Sequence, residues 1–378
     1  MNKIVTKRIV MNLSQLKIWA CAASIAAACV LSVQAQGAHS GNSPSITVVG
    51  STVPANGDVN PYGIARVPRS SGALVEGNIL ISNFNNSDNL QGTGTTIVQL
   101  APDGTNTLFA QIDANHLPGS CPGGIGLTTA LVVLRSGWVI VGSLPTTDGT
   151  SATAQAGCLL VLDSNGNVWE TFYGSLINGP WDMTAWDAGS SADLFVTNVL
   201  NGTVAAGGKV VHGGTVVRLS LTNITSKSAP ILQSITVIGS GFAERTDPAA
   251  LVIGPTGLGL SANADTLYVA DSLKNRVTAI PLPLFRDTSA GIGAIVTQGG
   301  TLNDPLGLTV APGGNILTVN GNNGWLVETT PEGEQIHRAL LDGSGSPPGA
   351  GALFGLIDLR GIGIYYVDDA TNTLNLFH

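Results

Sequence analysis

Charge is scarce in this chain. Lys, Arg, Asp and Glu make up 11% of its 378 residues, and 16 basic against 24 acidic side chains leave a formal net charge of −8. Phosphate binding is driven by clustered Lys and Arg, so an acidic chain with no such cluster excludes a nucleic-acid partner. Cysteine is scarcer still. Of four, Cys21 and Cys29 fall in an N-terminal apolar segment, and the remaining Cys121 and Cys158 are too few for a cysteine-cluster metal centre. Helical periodicity is almost absent, and no Gly-x-Ser-x-Gly elbow, P-loop or dinucleotide fingerprint lies between a strand and a helix. That removes the nucleotide-binding and hydrolase classes built on those turns.

Only one long hydrophobic run occurs, from Ile18 to Val33, after Lys3, Lys7, Arg8 and Lys17 and before the small-residue exit Val33-Gln34-Ala35. This is the pattern of a secretory signal over residues 1–35, cut after Ala35. A single anchoring helix is the alternative, but the run is shorter than the roughly 20 residues a bilayer requires. Cys29 as a lipid-attachment site is a third reading, opposed by the apolar residues that follow it. Removal of 1–35 takes away four positive charges and no negative one, moving the formal net charge from −8 to −12. The expected mature chain is secreted or periplasmic, with a flexible tail at 36–44 and no membrane insertion. In an oxidising compartment Cys121 and Cys158 are expected to bridge.

What is abundant is glycine, 49 residues, with 19 prolines, a composition of many short strands and tight turns. A two-part phrase repeats six times. A Pro-x-Gly or Gly-x-Gly stretch with apolar neighbours is followed by an apolar run ending in Asn, Asp or Ser: PYGIARV with GNILISNF, GIGLTTALVVL with WVIVGSL, GPWDMTAWD with DLFVTNV, GPTGLGLS with DTLYVADS, DPLGLTVAPGG with NILTVNG, and FGLIDLRG with IYYVDDA. A third strand follows each pair and a fourth follows all but the last. The missing strand is supplied by SITVVGS at 45–51, which nearly duplicates the outer strand SITVIGS at 234–240. The second strand of each unit is apolar without alternation, as in a strand buried on both faces. Radial stacking buries both faces of such sheets, and a closed ring leaves no exposed blade face. The reading is an all-β, six-bladed β-propeller over 45–378, closed by an N-terminal strand completing the C-terminal blade. A β-sandwich pair would not explain the shared spacing.

The phrases PTGLGLSANADTLYVADSLKNRVTAI and DPLGLTVAPGGNILTVNGNNG resemble NHL-type propeller repeats, and the likeness extends over nearly all of 45–378. In that architecture the loops leading into the inner strand (DA) and the loops between second and third strands (BC) share one face. Cys121 and Cys158 then fall on that face within one blade, where a bridge would pin the loop PTTDGTSATAQAG. Six-bladed relatives include calcium-dependent lactonases of the gluconolactonase and regucalcin type, which carry a Glu, an Asn and an Asp at the channel mouth; no Glu stands in the inner-strand phrases here. NHL-type lyases use histidines for zinc. Only His116 and His212 fall on the DA and BC rim, without a third ligand.

Candidate site residues follow from that layout. Asn83, Ser143, Asn198, Asp271, Asn320 and Asp368 end the second strands at matching positions, either as a ligand ring or as caps on the turns that follow. Asp182 and Asp358 are read as replacing the inner-strand glycine in units three and six, which would set two carboxylates facing across the channel as a cation site or an acid and base pair. Trp181 is the tryptophan expected to meet a channel ligand. The expected role is a monomeric binding module for a protein, peptide or carbohydrate through the DA and BC face, with no cofactor. The alternative is a channel-mouth hydrolase or lactonase whose divalent cation, calcium, would be held by Asp182, Asp358 and Asp271.

Overall fold

A computed structural model describes residues 45–378. The segment read as a signal, with Cys21 and Cys29, and the tail 36–44, with His39, lie outside the described residues. Six antiparallel sheets follow one another along the chain, and each inner strand contacts the inner strands of the preceding and following sheets, the last meeting the first. Inner strands are Val59–Arg66, Leu127–Val133, Pro180–Asp187, Pro255–Leu260, Pro305–Val310 and Leu353–Leu359. The ring is a six-bladed β-propeller.

Closure occurs as the repeats require. The Ile46–Ser51 strand pairs antiparallel with Thr373–Phe377, Ile46 opposite Phe377 and Gly50 opposite Leu374. Backbone bonds extend the seam at both ends, Ser45 N to His378 O at 2.8 Å and Thr52 N to Asn372 O at 2.9 Å. Gly50 and Gly104 make the contact between this strand and blade one: a Cβ on Gly104 would stand 2.4 Å from the Val49 carbonyl.

Why the Pro-x-Gly phrase repeats is visible in the packing. A Cβ on Gly257 would meet Leu306 O and Leu308 N at 2.4 Å, one on Gly307 the Phe354 carbonyl at 2.0 Å, and one on Gly355 the Tyr62 carbonyl at 2.5 Å. Inner strands of neighbouring blades therefore touch backbone to backbone, which only glycine permits. Hydroxyls stitch the same level: Ser82 Oγ donates to Thr128 O at 2.7 Å, Thr197 Oγ1 to Thr256 O and Thr256 Oγ1 to Pro305 O, each at 2.9 Å. The second strands Ile79–Asn85, Val139–Ser143 and Ile316–Asn320 are buried along their whole length, while the outer strand Gln335–Leu340 is largely exposed.

Blade three differs from expectation. From its sequence, GSGFAERTDPA, residues 239–249, reads as a long loop entering the next inner strand on the DA and BC rim. Instead the outer strand runs from Ile231 to Asp247 and turns back as Leu251–Ile253, giving that sheet five strands. Buried Phe242, Ala243 and Glu244 hold it in extended form, and Arg245 closes on Asp247 at 2.7 Å. Glycines and charges in the segment mask a strand that has found a buried face. The hairpin reaches the channel mouth.

Cys121 and Cys158 are bonded, at a sequence separation of 37. Among the described residues no helix is long and apolar enough to cross a membrane.

Candidate functional site at the channel mouth

Two cavities lie along the channel axis. The one at the DA and BC end has a volume of about 370 Å³ and the one at the opposite end about 280 Å³. Between them stand the inner-strand residues that follow Pro61, Pro180, Pro305 and Leu353, namely Tyr62, Trp181, Leu306 and Phe354. Tyr62 stacks on Phe354 at a centroid distance of 3.8 Å and on Phe84 at 4.4 Å, with Trp181 edge-on at 5.4 Å. This aromatic group floors the mouth cavity. Trp181, expected to face a channel ligand, lines it from below and is otherwise buried.

The walls are polar. Asn60 and Asp304 precede Pro61 and Pro305 at the head of their strands, with φ of 62° and 58°. A left-handed backbone just before proline is disfavoured and is kept only where surrounding structure imposes it. Here Asn372 Oδ1 takes the Asn60 N–H at 2.8 Å, and Asn275 Oδ1 takes the Asp304 N–H at 2.6 Å. Asn85 ends the second strand of blade one and Asn89 and Gln91 come from the BC loop after it, Asn322 from blade five and Asp369 from blade six; the Ala249 to Ile253 stretch of the blade-three hairpin closes the remaining side. Gln91 Nε2 donates to Ala249 O at 3.2 Å, tying that hairpin to blade one. Four side-chain oxygens of the walls are buried without a partner: Asn60 Oδ1, Asn85 Oδ1, Gln91 Oε1 and Asp304 Oδ1. Burial pushes the Asp304 carboxyl up to about 6 and the Asp369 carboxyl up to about 7, with the neighbouring Asp368 adding to the latter.

The ring at the ends of the second strands forms, but outside the cavity. Asn83, Ser143, Asn198, Asp271, Asn320 and Asp368 stand opposite Pro61, Leu127, Pro180, Pro255, Pro305 and Leu353, so they are equivalent, and all six are buried. Five are engaged within the protein. Asn83 Nδ2 donates to Thr52 O, Ser143 Oγ bridges Gly124 O and Gly126 N, Asn320 Nδ2 reaches Thr301 O, and Asp368 accepts from Thr371 N. Asp271 is held by Arg276 at 2.6 Å. Asn198 alone has neither side-chain atom bonded.

The two channel acids do not form a facing pair. In unit six the residue equivalent to Asp182 is Gly355, because Leu353 opposite Asp368 matches Pro180 opposite Asn198. Asp358 therefore sits three residues further along its strand, partly exposed, where burial and the nearby Glu328 raise its pKa. Asp182 does occupy the glycine position. Its Oδ2 accepts the Leu258 N–H of the next blade at 2.8 Å, and burial pushes its pKa up to about 7. It lines the far cavity, not the mouth. No group of three or more His, Cys, Asp or Glu comes together among the described residues, and Asp182, Asp358 and Asp271 do not converge. The oxygen donors of cation-binding type that do converge are the mouth set, with two carboxyls at most. His116 is exposed and bonded to Asp113; His212 is exposed on the Val211–Thr222 strand. Neither lines the mouth.

No protein-family model and no curated protein matches the chain by sequence. Solved structures do match in fold. A gluconolactonase from Xanthomonas campestris aligns at TM-score 0.53 and 14% identity, covering 88% of this chain and 89% of its own. Regucalcin, a calcium-binding protein from Agrobacterium tumefaciens, aligns at 0.54 and 13%, covering 87% and 93%. The PQQ-bound aldose sugar dehydrogenase of Streptomyces coelicolor aligns at 0.50 and 15%, covering 89% and 99%. Fold and geometry together define a six-bladed β-propeller of the architecture these proteins share, with a ligand-sized cavity over its channel.

Proposed function

We propose that the protein is an exported binding module that takes a small carbohydrate in the channel-mouth cavity, on the secreted or periplasmic side of the cell. The observation that carries this reading is the cavity itself: about 370 Å³, within the usual range of small-molecule sites, floored by aromatic rings and walled by amides and carboxyls. An aldose sugar is named for the dehydrogenase of like fold and a sugar-derived lactone for the gluconolactonase, which agrees with the reading. Calorimetric titration with a panel of monosaccharides tests it. Ala250→Trp, which fills the cavity from the exposed hairpin, should abolish binding without unfolding the ring; binding that persists in that variant would refute the location.

A second reading, hydrolysis of a sugar lactone, is favoured by one observation: Asp304 and Asp369 line the same cavity with pKa values near 6 and 7, the range suited to general acid and base work at neutral pH. Proton release from a δ-lactone, abolished in Asp369→Asn, would support it.

A further inference from the structure

The far cavity, at the end opposite the mouth, is lined by all six inner strands. Ile64, Leu131, Met183, Leu258, Leu308 and Leu356 each stand opposite the second-strand residue two before the polar ring, so they are equivalent. All six line this cavity and form a belt of apolar side chains around the axis. Asp182, one residue before Met183, lies at the mouth side of the belt. It is 8% exposed, lines the cavity, and accepts the Leu258 N–H on Oδ2 at 2.8 Å. No ion pair among the described residues includes it. Beyond the belt, towards the far face, the cavity is lined by Arg66 and Asp187. Asp187 is spent on local turns: its Oδ1 accepts the Gly189 N–H at 2.8 Å and its Oδ2 the Arg135 N–H at 2.7 Å. Arg66 is exposed and belongs to no ion pair among the described residues. Gly63 is the counterpart of Asp182 in blade one, since each donates its N–H to the hydroxyl just before the ring, Ser82 or Thr197, at 3.0 Å. Arg66, three residues on, therefore lies about 10 Å further along its strand.

From inside outward the cavity presents a carboxyl, a belt of six apolar side chains and a guanidinium, and the two charged groups do not reach each other. A carboxylate held out of water without a counter-charge is costly. An ammonium group, with three donors and a positive charge, removes that cost. The guanidinium fork at the other end matches a carboxylate, and the belt between them matches hydrocarbon. We infer that the far cavity is a second binding site, for an aliphatic chain carrying an ammonium group at its inner end and a carboxylate at its outer end. This site is independent of the sugar reading, which concerns the mouth. An α-amino acid fits poorly, because its two charges sit on one carbon and cannot reach both Asp182 and Arg66. A divalent cation prefers about six to eight oxygens, whereas this cavity pairs a single buried carboxyl with an apolar belt.

The test is calorimetric titration with 6-aminohexanoate, hexylamine, hexanoate, glycine and calcium chloride at about pH 8, above the value of about 7 to which burial pushes Asp182. The inference expects 6-aminohexanoate to bind at least about tenfold tighter than hexylamine or hexanoate, a factor worth about 1.4 kcal/mol. Glycine, too short to span the belt, should not bind measurably. Asp182→Asn, which keeps an acceptor for the Leu258 N–H, should lose about tenfold in 6-aminohexanoate affinity. Arg66→Gln should lower 6-aminohexanoate to the affinity of hexylamine and leave hexylamine unchanged. Asp304→Asn, in the mouth, should alter neither. Equal binding of hexylamine and 6-aminohexanoate by the unaltered protein overturns the inference, and so does a loss in Asp304→Asn, which would put the ligand in the mouth. Binding of calcium alone, or of none of these compounds, overturns it too. Should Asp182→Asn fold poorly, Arg66→Gln at its exposed position carries the test by itself. None of these outcomes bears on the sugar reading, whose own titrations probe the mouth.

Discussion

Asp182 shows how a single side chain can keep the fold while changing its pH response. Four blades place glycine at its position, where neighbouring inner strands touch; in blade three the carboxylate instead reaches across to the Leu258 N–H. Because burial raises its folded pKa to about 7, the native state holds a proton that the unfolded chain releases near pH 4. Its stabilising contribution is full below about pH 4 and is lost as pH rises through 7. Asp182→Asn, which keeps an acceptor for Leu258, should therefore raise stability at pH 8 by on the order of 2–3 kcal/mol and change little at pH 4. Urea titrations at the two values measure this, and equal effects at both would contradict it. Sequence could suggest Asp182 because it broke the glycine pattern. Asp358 was misplaced by the same logic: phrase matching cannot see that the bulge in each inner strand shifts the count, which only the pairing of Leu353 with Asp368 fixes.

At the scale of elements, the disulfide joins the strand Cys158–Leu162 to the loop before Leu127–Val133. A bridge closing a loop of this length stabilises by about 3–4 kcal/mol on the chain-entropy argument. Cys121→Ala with Cys158→Ala should lower stability by roughly that amount, read as a fall in denaturant midpoint with an unchanged slope. The pairing was legible because only two cysteines remain beyond the N-terminal segment and both map to one face. The blade-three hairpin was not. Its residues lack alternation over enough length to be told from a loop, and what makes it a strand is that Phe242 packs with Phe195, Val216 and Ile238 while Glu244 lies buried against Gly254. Nor could periodicity locate the mouth walls, which come from segments of four blades meeting over the axis. One sequence signal did exist. Asn-Pro at 60–61 and Asp-Pro at 304–305 are turn-forming pairs heading inner strands, and they supply two of the four unbonded oxygens.

For the whole molecule, six repeats and a leftover strand were enough to read the ring, since a blade one strand short at one terminus requires its complement at the other. The consequence is mechanical. Deleting residues through Thr52 would expose the Thr373–Phe377 edge and the apolar contacts of Leu374, and exposed edges pair with other chains. Such a truncation should unfold at a lower temperature and self-associate on size exclusion, whereas a monomer of unchanged stability would contradict the closure. The buried acids add a second global trait. Asp182, Asp304, Asp369 and Glu244 all have pKa values raised by burial, Glu244 to about 8, so each releases stability as pH rises. The thermal midpoint should be higher near pH 5 than near pH 8. That the DA and BC end, not the far cavity beside Asp182, is the sugar-binding end is tested most directly by a crystal structure soaked with the monosaccharide that binds in calorimetry. The account predicts the sugar over the Tyr62, Trp181 and Phe354 floor, between Asp304 and Asp369; a sugar bound in the far cavity or on an outer strand, with the mouth holding only solvent, would contradict it.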